Sequence, residues 1–125
     1  MKGRKPALAA DPLALTRTPK APAHLGPLAR LEWRTVLPGL IAAGTVRQSD
    51  LSLLATYCAM IGIAHEGADA HKSGTLDAAG FRRMNAAATT ARQIAAEFGL
   101  TPVARNRAGL TPSDEEDAGD DPLAV

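Results

Sequence analysis

From Leu51 to Phe98 the large apolar side chains return every three or four positions, and a chain written with that period is built to fold as helices. Leu51, Leu54, Cys58, Ile61 and His65 form one row, and Leu53, Tyr57, Met60 and Ala64 form a second beside it. Two adjacent rows predict a helix over about 50–70 with a broad buried face. Ser49 is the expected N-cap, with Asp50 in the first turn. "KSG" at 72–74 reads as a turn. A third helix follows over 77–98, where Phe81, Met84, Ala88, Ala91, Ala95 and Phe98 keep an alternating three–four step. The middle of that seam is alanine, so a partner helix can approach closely. Arg82, Asn85, Thr89, Arg92 and Gln93 fall on the polar side.

Ahead of this pair, "PLARLEWRTVLPGLIAAG" predicts a shorter helix over 27–43. Leu28, Leu31, Val36 and Leu40 form its stripe, which Trp33 and Leu37 widen. Pro38 is a point for a bend, and Gly44 is the stop. The flanks lack this order. Residues 1–24 hold Pro6, Pro12, Pro19 and Pro22, each of which disfavours helix at the residue before it. Residues 111–125 hold an acid run and too little apolar surface to fold alone. The expected division is a basic flexible arm at 1–24, a helical core and oligomerisation domain at 25–110, and an acidic flexible tail at 111–125.

Charge follows the same division. The net charge is only +1. Lys2, Arg4, Lys5, Arg17 and Lys20 against Asp11 give the arm +4, and the core carries +3. Asp114, Glu115, Glu116, Asp117, Asp120 and Asp121 give the tail −6. Such asymmetry points to nucleic acid, or to partner surfaces of both signs. Aromatic residues are 3% of the chain, so the core must be aliphatic and small, which makes self-association a natural source of stability. With one cysteine, Cys58, no intrachain disulfide can form. The opening "MKGRKPALAA" lacks the apolar stretch of a signal peptide, and no unbroken apolar run reaches the roughly 18 residues of a membrane span. These features point to a soluble protein of the cytoplasm.

The string "GLTP" occurs twice, at 99–102 and 109–112. In the first copy Gly99 stops the third helix, Thr101 caps and Pro102 opens a further short helix over about 102–108 bearing Arg105 and Arg107. In the second, Gly109 and Thr111 repeat that punctuation where the acidic tail begins.

Three segments carry a family resemblance: "LEWRTVLPGLIAAGTV" at 31–46, "SDLSLLATYCA" at 49–59 and "RQIAAEFGLTPVARNR" at 92–107. In order and spacing over roughly 75 residues, the chain resembles the small terminase subunit of tailed bacteriophages and related particles. That resemblance implies an all-α, ring-forming, non-enzymatic component of DNA packaging in the bacterial host cytoplasm. It also implies partners: double-stranded DNA, further copies of the chain, and a large terminase subunit with ATPase and nuclease activities. The chain has little room for a separate helix-turn-helix domain ahead of the core. "LIAAGTVRQSDLSLLATY" does place two helices around a glycine-containing turn, but its second helix is largely apolar. Contacts to the DNA backbone alone give salt-sensitive, weakly selective binding. A small helical DNA-binding regulator unconnected with packaging is the alternative.

Candidate residues follow from charge, period and resemblance. Lys2, Arg4, Lys5, Arg17, Lys20, Arg82, Arg83, Arg92, Arg105 and Arg107 are assigned to DNA, against the plainer reading of a solvated surface. Trp33, Tyr57, Phe81, Met84, Ala88, Ala91, Ala95 and Phe98 are assigned to an oligomer interface, against the plainer reading of a core and an internal hairpin. Asp114, Glu115, Glu116, Asp117, Leu123 and Val125 are assigned to docking on the large subunit, against shielding of the core from DNA or a simple gain in solubility. His65 and Asp69 lie one turn apart, but His71 leaves their face, so no metal ligand set forms. No phosphate-cradling glycine loop and no catalytic constellation is present, and no cofactor is expected.

Overall fold

The first helix, α1 (Pro27–Ala43), is set by its two ends. Gly26 is the N-cap and Pro27 occupies the first helical position, where its missing N–H costs nothing. Gly44 ends it at φ 76° and ψ 24°, a left-handed conformation that glycine adopts without strain. The helix runs unbroken through Pro38, which lies on the exposed side. Ala29, Trp33, Leu37, Leu40 and Ile41 are buried on the opposite side, and their packing outweighs the hydrogen bond that proline forfeits. The expected stripe is corrected at one position: Leu31 is 53% exposed. Two residues from Trp33, it points about 200° around the helix from the core.

The computed structural model describes residues 11–101. The described residues form three α-helices and no strand. A 3-10 turn, Gln48–Asp50, leads into α2 (Leu51–Lys72), and α3 is Ala78–Glu97. Ser49 is therefore not the cap of α2. It lies inside the 3-10 turn, and the Asp50 carboxylate instead accepts the Arg47 backbone N–H at 2.9 Å. At the start of α3 the Asp77 carboxylate accepts the Gly80 N–H at 2.7 Å, a side-chain cap of the usual kind. At its end Gly99 takes φ 72°, as the first "GLTP" predicts. The helix expected at 102–108 lies outside the described residues.

α2 is the central helix, with α1 and α3 both packed on it. The core joins Trp33, Leu37 and Leu40 of α1 to Leu54, Ala55 and Cys58 of α2 and to Ala91, Ile94 and Ala95 of α3. By length and a mean hydropathy of 1.2, the stretch Gln48–Lys72 would also suit a membrane span. Here its apolar rows are the surfaces on which the other helices pack.

The α3 seam is rotated from the expected one. Gly80, Ala87, Ala91, Ile94 and Ala95 are buried, while Phe81 is 53% exposed. Met84 keeps its place against α2: a β-carbon on Gly67 would stand 2.7 Å from the Met84 side chain, so the methionine fills the space that glycine leaves.

A second close approach joins α1 to α2. A β-carbon on Gly62 would lie 3.2 Å from the Ala29 backbone nitrogen and 3.3 Å from its β-carbon. Backbone cannot step aside as a flexible side chain can. Gly62→Leu is therefore expected to pry α1 from α2 and to cost about 1–3 kcal/mol or more, read as a fall in the urea midpoint.

Residues 11–24 are held to the helical body by hydrogen bonds. They form no helix, but they are fastened along α1 as a strap. The Leu15 N–H donates to the Val46 carbonyl at 2.8 Å. The Trp33 indole N–H donates to the Pro19 carbonyl at 2.9 Å. Arg30 donates to the carbonyls of Leu25 and Ala23 at 2.8 and 3.1 Å. Leu25 is buried, and Leu15 and Ala21 pack against the core.

Candidate nucleic-acid and partner surfaces

The strap gives the cations on its side of the molecule a fixed order. Its anchors meet α1 in reverse sequence: Leu15 beside Val46, Pro19 beside Trp33, Ala23 and Leu25 beside Arg30. The strap thus runs antiparallel to α1. Arg17 and Lys20, both exposed, lie between the first and last anchors. Arg34, also exposed, stands one helical turn from Arg30 on the same flank of α1.

The acids near this flank are engaged or turned away. Asp11 forms a two-pronged ion pair with Arg47, at 2.7 and 3.1 Å, and the guanidinium hydrogen bond holds its carboxyl below the usual carboxylate range. Glu32 leaves α1 about 200° around from Arg30 and accepts the Tyr57 hydroxyl at 2.5 Å. The Arg47–Asp11 pair is the sole ion pair among the described residues.

The arginines assigned to α3 are exposed but do not share a face. Arg83 and Arg92 are nine residues apart, which puts them about 180° apart around the helix, and Arg82 points outward between them. Arg83 turns toward the corner of α2 and α3, where it lines a shallow recess with Glu66, Leu76 and Met84. They also ride on the helix that packs on α2 apart from α1, so the structure does not join them to Arg17 and Lys20. Lys2, Arg4, Lys5, Arg105 and Arg107 lie outside the described residues, as do the docking candidates Asp114, Glu115, Glu116, Asp117, Leu123 and Val125.

The residues assigned to an oligomer interface divide by burial. Trp33 (2% exposed), Tyr57, Ala91 and Ala95 are already used inside the chain and offer no surface to a neighbour. Met84, Ala88 and Phe98 are half-buried, and Phe81 projects into solvent. Leu13, Leu31 and Leu53 are large exposed apolar residues, although the helical period assigns Leu31 and Leu53 to buried rows. A two-row reading makes Leu53 core, but with α1 and α3 in place it stays 40% exposed.

The Tyr57–Glu32 contact is part-buried between α1 and α2. Burial, then the hydrogen bond to Glu32, raises the Tyr57 hydroxyl above its ordinary range. Burial, then the nearby Glu32 charge, pushes the Cys58 thiol up to about 12. A neutral, enclosed thiol is a packing group rather than a nucleophile. His65, Asp69 and His71 are exposed along the outer part of α2.

These surfaces suit binding to extended charged partners better than the enclosure of a small molecule. A family model described as phage terminase, small subunit, matches residues 29–116, well over half of the 125 residues. No curated protein and no solved structure matches the chain.

Proposed function

This chain belongs to the phage terminase small-subunit family, and from that premise we propose that it is an oligomeric adaptor of DNA packaging. It holds duplex DNA through phosphate contacts with limited sequence preference. It also recruits or regulates the large terminase subunit, which carries the ATPase and nuclease chemistry. The match over residues 29–116 carries this reading, and the charge layout supports it. A basic segment leads into the strap, and an acidic segment follows the helical body.

Each end has its own role. Lys2, Arg4 and Lys5 extend the cations of the strap toward DNA, and Arg105 and Arg107 add to them. Asp114, Glu115, Glu116 and Asp117, with Leu123 and Val125 as apolar points, dock on a basic surface of the large subunit. Copies associate as a ring, with Phe81 and Ala88 as the parts of the α3 seam still open to a neighbour. No catalytic step is assigned to this chain.

Deleting 111–125 is expected to reduce capture of the large subunit in a pull-down while leaving the melting temperature unchanged. Equal capture by the full chain and the deletion removes the docking role. Native mass spectrometry is expected to show one closed oligomer, and a monomer alone at tens of micromolar counts against the ring. A sharp preference for one duplex sequence at moderate salt fits a regulator instead.

A further inference from the structure

We propose that the strap and α1 together form the main phosphate-binding edge of this protein, with Arg17, Lys20 and Arg34 as its contacts and the backbone of duplex DNA as its ligand. The inference rests on the DNA-binding reading above but goes further, because it selects one surface and includes a residue that charge counting along the tails overlooks.

The edge is organised by bonds that involve no free cation. The Trp33 indole and the Leu15 N–H fix the strap on backbone carbonyls. Arg30 spends its donors on the Ala23 and Leu25 carbonyls. Carbonyls satisfy its hydrogen bonds without cancelling its charge, so Arg30 adds to the positive field while it positions the strap. Arg17 and Lys20 are presented from the strap and Arg34 from the adjoining flank of the helix, all exposed. No carboxylate among the described residues is within ion-pairing distance of the three.

Their order suits an extended polyanion: Arg17 lies between the Val46 and Trp33 anchors, Lys20 between the Trp33 and Arg30 anchors, and Arg34 one turn from Arg30, so the three follow one another along the edge. The α3 arginines have no such order, because they are divided among different sides of their helix.

Two variants with equal charge removed separate these surfaces. One is Arg17→Ala/Lys20→Ala/Arg34→Ala, and the other is Arg82→Ala/Arg83→Ala/Arg92→Ala. All six positions are exposed, so both variants are expected to fold, which circular dichroism melts would check. Binding of a fluorescein-labelled duplex is measured by anisotropy over a series of salt concentrations. The edge variant is expected to bind about tenfold more weakly or worse, with its salt slope reduced by roughly 0.9 for each phosphate it no longer neutralises. The α3 variant should keep the slope of the full protein.

Equal losses in both variants overturn the proposal in favour of net charge, and a larger loss in the α3 variant moves the site to that helix. Edge cations that serve an acidic protein partner instead would leave duplex binding intact and abolish large-subunit capture, which also overturns it. If the unaltered protein binds no duplex even at low salt, the DNA-binding reading itself fails. A failure of the edge alone leaves that binding in place.

Discussion

Trp33→Ala is expected to lower stability by about 3–5 kcal/mol, the usual range for removing a buried indole, and to leave the chain largely unfolded near body temperature. Trp33 sits mid-way along α1 at 2% exposure, between the strap and α2. Its loss leaves a cavity in a core that has few large side chains with which to refill it, since alanines supply much of the α3 contribution. The Pro19 carbonyl also loses its indole donor, and the strap loses its central anchor. A domain of this size moves its melting point by about 4–8 °C for each kcal/mol, so a fall of roughly 15 °C or more is expected. Far-UV circular dichroism is the appropriate measurement, because Trp33 is the one tryptophan in the chain and the variant loses its fluorescence. Trp33→Phe separates the two effects. It keeps most of the apolar volume and removes only the donor, and a change as large as that of alanine would show that the strap bond, rather than packing, dominates.

The contrast between α1 and its strap explains what the sequence makes legible. The limits of α1 are written in single residues: Pro27 at the first helical position and a left-handed Gly44 at the end. Each acts locally, so each can be read without knowing the fold. The start of α2 is less legible because Ser49 and Asp50 both suit a cap, and only the 3-10 turn decides between them. The α3 seam has a clear period, but which of its residues lie at the centre is decided by the helix it packs on, where features such as Gly67 opposite Met84 are invisible to period alone. Period tells that a face is buried, while the partner tells which residues lie at its centre.

The strap is the least legible element, and its anchors show why. The Val46, Pro19, Ala23 and Leu25 carbonyls are groups that every residue carries. Prolines and a lack of period mark this segment as non-helical, yet neither reveals that it is fastened. The cations Arg17 and Lys20 are legible from charge alone. Arg34 is not, although its spacing from Arg30 is a signal of a shared flank. Charge distribution along the chain divides the protein into three parts, but the fold assigns the second half of the basic segment to the helical body.

Raising the pH is expected to unfold this protein in two stages, with the first controlled by Cys58. The fold encloses the thiol completely, and burial first, then the Glu32 charge, pushes its pKa from 9.0 up to about 12. The unfolded thiol ionises near its ordinary value while the folded one stays protonated. The folded state therefore binds more protons throughout that interval. The stabilisation is full below about pH 9 and drains away as the pH climbs toward 12, at about 1.4 kcal/mol for each pH unit. Tyr57, whose hydroxyl is raised above its ordinary 10.0 by burial and by the bond to Glu32, adds a loss of the same sign above that value. Urea midpoints are expected to be level between neutral pH and about pH 9 and to fall with increasing slope beyond it. Cys58→Ala should move the onset up to the tyrosine range, and Tyr57→Phe should remove the later steepening. Alkylation of the thiol provides an independent reading, because at mildly alkaline pH it should proceed only through unfolded chains. Labelling as fast in the native protein as in urea would mean that the thiol is open to solvent, and the first stage of alkaline unfolding would then require another group.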